Sequence, residues 1–508
     1  MHYVEETKLA TSRPRLPSML LALALALAYG TTQVAWGEHT PFAGGYHPDA
    51  VVYARAAENL EALIASRALH TYWVQRLAPT AIVHFAMRIV GIPFQDRNII
   101  LAFEIYSLAI WLVGVAVWWL IAAELRLREK NAWLGMILLF VNHANLKMRF
   151  FLPTFSDNSA FLLGLLLVYF FLRRQSFGVW SVMVVGEFTW PSIFLFGAPL
   201  FLFPFRPLPP RPARAASLTV GTLAALGFLG LYFSPLAPVG NFQGYQRGKG
   251  LAGALALALA VLYLFSLTRS LFNSRTLFNV RLLWQDGVWR RLAVIALTAV
   301  GIRLLVHSLG NNAAFGGVST VAQWAEVTLV ASATQMPLLF LVAAAVYLGV
   351  IVLLAFLKLP DLSRAIQAWG TGAVLFAWGS AVFLLDSQSR HLIHALPFWA
   401  AAVAKAAEDY EWRPRQYWTL AVTALVVSKV WLPYGLKGAA EFVNCASPEH
   451  YRLCANSGPS MPFWLYVSQG VILGILAILL YQVLTPLSGA GETQTSRRGA
   501  TTPRPAVE

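Results

Sequence analysis

Apolar runs of about 20 residues recur along the whole chain, and nothing else constrains its fold so strongly. In lipid, every backbone N–H and C=O must find its partner inside the chain, so runs of this length can only be helices. A β-barrel would show short segments of alternating polarity instead, and none is present. Composition agrees: 58% of the residues are hydrophobic and 12% charged, about half the charge of an ordinary soluble domain.

The expected architecture is therefore an all-α, polytopic transmembrane helix bundle of about fourteen spans. They fall at about 17–36, 99–123, 132–146, 159–172, 177–187, 191–205, 216–234, 251–267, 292–309, 337–357, 366–385, 392–404, 417–432 and 462–483. The first run follows Lys8, Arg13 and Arg15 and contains small-x-small sites like those of a signal peptide. Its length favours an uncleaved first span over a signal sequence.

The net charge of +15 would suggest nucleic acid in a soluble protein. Here no basic stripe with interleaved aromatics exists, and the basic residues sit in short clusters between spans. With both termini cytoplasmic, about 24 of the 38 Lys and Arg residues fall in inner segments and about 12 in outer ones, the bias expected of a multi-pass protein. Apart from His2, every histidine then lies outside or near an outer helix end. Cys445 and Cys454, the only cysteines, share one outer loop, which reads as a disulfide in an oxidising compartment, with two free thiols as the alternative.

The outer segment 37–98 is too long for a connector. Over 49–67, Val52, Ala56, Leu60 and Leu63 recur at helical spacing, and over 74–90 Leu77, Ala81 and Phe85 do the same. Arg76, His84 and Arg88 interrupt the second stretch too heavily for a span, so both read as amphipathic helices on the outer surface. The tail from 486 to 508 is polar and reads as disordered.

Candidate chemistry gathers at the outer ends. Asp49, in His47-Pro48-Asp49-Ala50-Val51-Val52-Tyr53, opens the first surface helix and is either a helix cap, a general base or a metal ligand. Asp157 ends the turn after the third span, preceded by Lys147 and Arg149, which could hold phosphate or lipid headgroups. Glu104 lies inside the second span, where an acid must face a partner or a cavity. Glu187 sits in a Gly–Pro break between two short helices. Arg390, His391 and His394 follow Asp386 in a very short outer link; the first two suit a phosphate, and the two histidines signal a metal only weakly. No Walker A loop, nucleophile elbow, H-E-x-x-H or dinucleotide fingerprint is present.

This layout resembles the GT-C superfamily of integral membrane glycosyltransferases, and His47-Pro48-Asp49 resembles the start of the first outer loop in its mannosyltransferases, although Ala50 replaces the second acid. The likeness is strongest over residues 1–210; a variable module would then occupy 211–485, with an outer loop at 434–461. The resemblance implies a polyprenyl-phosphate-linked sugar donor, a glycan, lipid or protein acceptor, and a site on the outer face of a bacterial inner membrane, serving the cell envelope. It implies Asp49 as the base and Asp157 as the second acid, with Tyr53, Glu104, Lys147, Arg149, Glu187, Arg390, His391 and His394 as substrate-binding candidates. A divalent cation such as Mg or Mn stays open. The rival readings are a transporter or flippase of a lipid-linked saccharide and a structural or assembly subunit.

Overall fold

The computed structural model describes residues 16–46, 50–206, 212–234, 247–274, 287–311, 325–410, 412–434 and 458–484. Asp49, Cys445, Cys454 and the tail from 486 onward lie outside them. Among the described residues the chain is helical throughout, and its one β-bridge joins His70 to Asn311.

The helices, in chain order, are α1 Leu16–Trp36, α2 Val51–Ala65, α3 Thr71–Val74, α4 Ala78–Val90, α5 Asp96–Glu124 and α6 Glu129–Phe140. After them come α7 Arg149–Phe151, α8 Asp157–Leu172, α9 Ser176–Glu187, α10 Ser192–Leu202, α11 Arg214–Tyr232, α12 Gly250–Leu271 and α13 Val288–Leu309. The last third holds α14 Ser332–Gln335, α15 Leu339–Leu348, α16 Val350–Leu357, α17 Leu359–Ala368, α18 Thr371–Phe383, α19 Leu396–Ala406, α20 Pro414–Ser428 and α21 Phe463–Leu484.

Six of these, α1, α5, α11, α12, α13 and α21, are long and apolar enough to cross a membrane; a bent pair, Glu326–Gln335 with Leu339–Leu348 at 97°, makes up to seven. Several turn bare apolar side chains outward: Leu223, Leu297 and Leu304 are each more than 60% exposed. So much unshielded apolar surface needs lipid around it rather than water.

The other stretches expected as spans are shorter or interrupted. The run over 337–357 is apolar without a gap, yet Gly349 at φ +83° splits it into α15 and α16. A side chain there would also meet Asn142, so glycine is required on two counts. The run over 132–146 stops as a helix at Phe140 and continues through a wide π-turn, Ala144–Met148, into α7. That turn re-aims the residues before Asp157.

Two layers matter for the site. A core of α5, α6, α8, α9, α10, α18 and α19 packs mutually, with α1 laid along α5. Trp118, Phe161, Phe376 and Phe398 are among its fully buried side chains. Over one end of this core lie α2 and α4, which occupy the segments read as amphipathic; their buried faces carry Tyr53, Ala57, Val83 and Met87 against Phe103 of α5.

Candidate active site

The link 386–394 is a strap joining α18 to α19, fastened along its length. Ser387 donates its N–H to Ser332 Oγ at 2.8 Å and accepts at its carbonyl from Gly458 N at 3.0 Å. Ser389–Leu392 then coils into a 3-10 turn. The strap sits hard against α8 because position 164 is glycine: any Cβ there would collide with the His394 carbonyl. The helix that begins at Asp157 and the strap that carries Arg390 and His391 are thus locked in one arrangement.

Asp386, 1% exposed, lies 2.6 Å from His391 Nδ1 through its Oδ2. A buried carboxylate paired to one ring nitrogen fixes the imidazole's orientation and directs its other nitrogen outward. The His391 ring stands 5.8 Å from that of Trp190, and Arg76 lies over the same Trp190 at 5.1 Å and over Tyr72 at 3.9 Å. Arg390 lies over Phe155 at 5.2 Å.

Asp157 is buried at the start of α8, and its Oδ1 has no hydrogen-bond partner among the described residues. The charges that bear on it come from Arg390, His391 and Arg76. Tyr53 reaches the same place from α2: it is buried, bonds Ser156, and feels the charges of Arg76 and Arg390. Burial pushes its phenol well above the usual range, so it remains a neutral hydroxyl. Segments about 330 residues apart in sequence therefore meet around one carboxylate: the first outer loop, the turn before α8, the break at Trp190, and the strap.

Most of the remaining candidates have other partners, while Arg149 also feels the charge of Asp157. Glu187 accepts from Gln75 Nε2 at 2.7 Å, and the charges of Arg303 and Arg76 bear on it, so it stands behind Arg76. Lys147 points away from Asp157. It pairs with Glu38 at 3.1 Å, donates to the Leu432 carbonyl and lies over Tyr434 at 4.1 Å, fastening the end of α1 to the chain after α20. Arg149 is 2% exposed and donates to Asn145 Oδ1 at 2.6 Å beneath Asp157, with Nε and Nη1 unpartnered among the described residues. His394 is fully buried, its ring 5.2 Å from that of Phe196, and belongs to the core. Glu104 lies in a separate cavity and pairs with His39 at 2.9 Å.

Sequence reasoning missed three members of the cluster. Asp386 reads as a residue just past a span, Trp190 as part of a break, and Arg76 only as an interruption of apolar periodicity. The spacing of Asp386 to His391 across a tight link was the available signal. Among the described residues, no group of three His, Cys, Asp or Glu side chains could hold a metal ion.

No family model matches the chain, and neither a curated protein nor a solved structure matches it.

Proposed function

We propose that the chain is a GT-C-type membrane glycosyltransferase. It moves a sugar from a polyprenyl-phosphate-linked donor to a hydroxyl acceptor on the non-cytoplasmic face of a bacterial inner membrane, with both termini cytoplasmic. One observation carries this reading: Arg76, Arg390 and the His391 ring held by Asp386 all bear on the buried carboxylate of Asp157. Such a cluster suits an anion that arrives with its own charge and must be released again.

An apolar groove lined by Tyr263, Leu341, Phe356, Leu384, Leu392 and Trp399 supports the lipid part of the reading. Leu384 lies just before the strap, and Leu392 lies within it next to His391. A phosphate headgroup at Arg390 and His391 leaves its isoprenoid chain beside this groove.

Asp49, as base, takes the proton of the acceptor hydroxyl. The acceptor oxygen forms a bond to the anomeric carbon while the bond from that carbon to the phosphate oxygen breaks. The electron pair leaves on the polyprenyl phosphate, which needs little acid help because phosphate is a stable anion. Arg390, Arg76 and the His391 ring held by Asp386 stabilise that growing charge. Asp157 is a positioning residue that keeps these cations gathered when the site is empty of donor.

The test uses the full chain in liposomes with labelled polyprenyl-phosphate sugars and crude envelope acceptors. Asp49→Asn is expected to abolish transfer of label while leaving the thermal unfolding midpoint unchanged. Turnover by this variant at the wild-type rate removes Asp49 from the assigned role. A transporter or flippase of a lipid-linked saccharide is the second reading, favoured by the bent pair before and after Met336, since broken helices often line transport sites.

A further inference from the structure

The Asp157 cluster is not the only polar region at this end of the molecule. A cavity of about 570 Å³, within the range of ligand pockets, opens between the end of α1, the start of α5 and the turn after α7. Its wall carries His39, Asp96, Arg97, Glu104, Phe151 and Pro153. Val34, Ile100 and Leu101 add apolar surface, and Gly44 and Gly45 line the rest without side chains. Segment 149–157 separates the two regions: Phe151 and Pro153 face the cavity, while Phe155 lies under Arg390 and Asp157 is at the cationic cluster.

The chemistry of this wall selects its occupant. Glu104 is 4% exposed and projects from a long apolar helix, where a carboxylate is retained at a cost unless it has work to do. It holds His39 Nδ1 at 2.9 Å. Asp96 accepts from the Tyr46 hydroxyl at 3.0 Å and is thereby held at the rim. Two carboxylates set against a single arginine disfavour a phosphate. Arg97 and His39 disfavour a cation. A purely apolar ligand would leave the Glu104 carboxylate without compensation. A neutral polyhydroxylated group meets none of these objections: each hydroxyl donates one hydrogen bond and accepts others, matching carboxylate acceptors beside guanidinium and imidazole donors. Phe151 and Pro153 offer an apolar surface for the C–H face of a ring.

From this we infer that the Glu104–His39 cavity binds a neutral saccharide, and that this saccharide is the acceptor. Its assignment as acceptor rests on the transferase reading; the binding of sugar does not. Glu104 and Arg97 hold hydroxyls remote from the reacting one, and the acceptor reaches past segment 149–157 to bring its reacting hydroxyl to the anomeric carbon beside the lipid phosphate.

The experiment is saturation-transfer difference NMR on the full chain in nanodiscs, with a panel of neutral methyl hexosides and disaccharides and with inorganic phosphate. The wild-type protein is expected to saturate at least one glycoside. Glu104→Gln and Arg97→Gln should each weaken that binding at least tenfold, whereas Arg390→Gln leaves it intact. Arg97 is exposed, so its variant keeps the test sound if Glu104→Gln misfolds. Absence of signal from every glycoside, binding by both cavity variants as tight as by the wild type, or competition of the glycoside by phosphate overturns the inference. Glycoside binding without any sugar transfer would leave the cavity as inferred and remove the transferase reading; transfer indifferent to both cavity variants would do the reverse.

Discussion

The two polar regions on either side of segment 149–157 differ in their balance of acidic and basic groups. At Asp157, the charges of Arg76, Arg390 and His391 bear on a buried carboxylate while a second one, Asp386, holds His391; in the Glu104 cavity, two carboxylates share a wall with one arginine and one histidine. Both are built at the same end of the bundle from the same short turn, so the difference is not one of depth or local fold. It is a division of labour expected of a protein that handles a charged lipid and a neutral group together: the anion is drawn to one side and excluded from the other. A transporter of one saccharide would need one site near the midplane reachable from both faces.

The sharpest way to break this contrast is to remove the cation nearest the proposed phosphate. Arg390→Gln is expected to lower transfer by about 10²- to 10³-fold, the usual loss for one preorganised charge partner, with glycoside binding unchanged. Equal loss of both activities, measured by labelled transfer and by NMR, would mean the regions are one site.

A second substitution addresses the lock between the strap and α8. Gly164→Leu must displace the His394 backbone, and overpacking of this kind costs about 1–3 kcal/mol. The thermal midpoint should drop, and transfer should fall with it, because Arg390 and His391 move relative to Asp157. A Gly164→Leu protein with unchanged midpoint and unchanged transfer would show that the close approach is not needed.

The smallest effect lies in pH. Hydrogen bonding to Glu104 raises the His39 pKa above its ordinary 6.5, against the opposing effect of burial. A raised value means that the pair stabilises the fold fully below pH 6.5, and that this contribution is lost as pH rises through the raised pKa. The wild-type thermal midpoint should therefore decline above pH 6.5 more steeply than that of His39→Gln. The difference will be slight, since His39 is half-exposed and solvent screens the pair. Parallel profiles for the two proteins would remove His39 from this role.

How much of this could be read in the sequence depends on the kind of signal. Long helices such as α1 and α5 and the surface pair α2 and α4 were legible, because length and periodicity are local properties. The helix breaks were not: Gly349 interrupts a run whose hydropathy never falters, and only the approach of Asn142 reveals why. The strap was legible as residue types, but not as a dyad, because nothing local says that Asp386 turns back onto His391. Lys147 was misread for the opposite reason. It is close to Asp157 in sequence, yet the π-turn Ala144–Met148 swings it toward Glu38 and Leu432. Nearness in sequence carried no information about facing across that turn.

The measurement that bears most directly on the central claim follows labelled sugar on a polyprenyl-phosphate donor, supplied to sealed vesicles containing the full chain and crude envelope acceptors. Label is expected to be covalently joined to acceptor on the face that was non-cytoplasmic in the cell, with equimolar polyprenyl phosphate released. Label that crosses the membrane still attached to its lipid, with no acceptor modified, would contradict it.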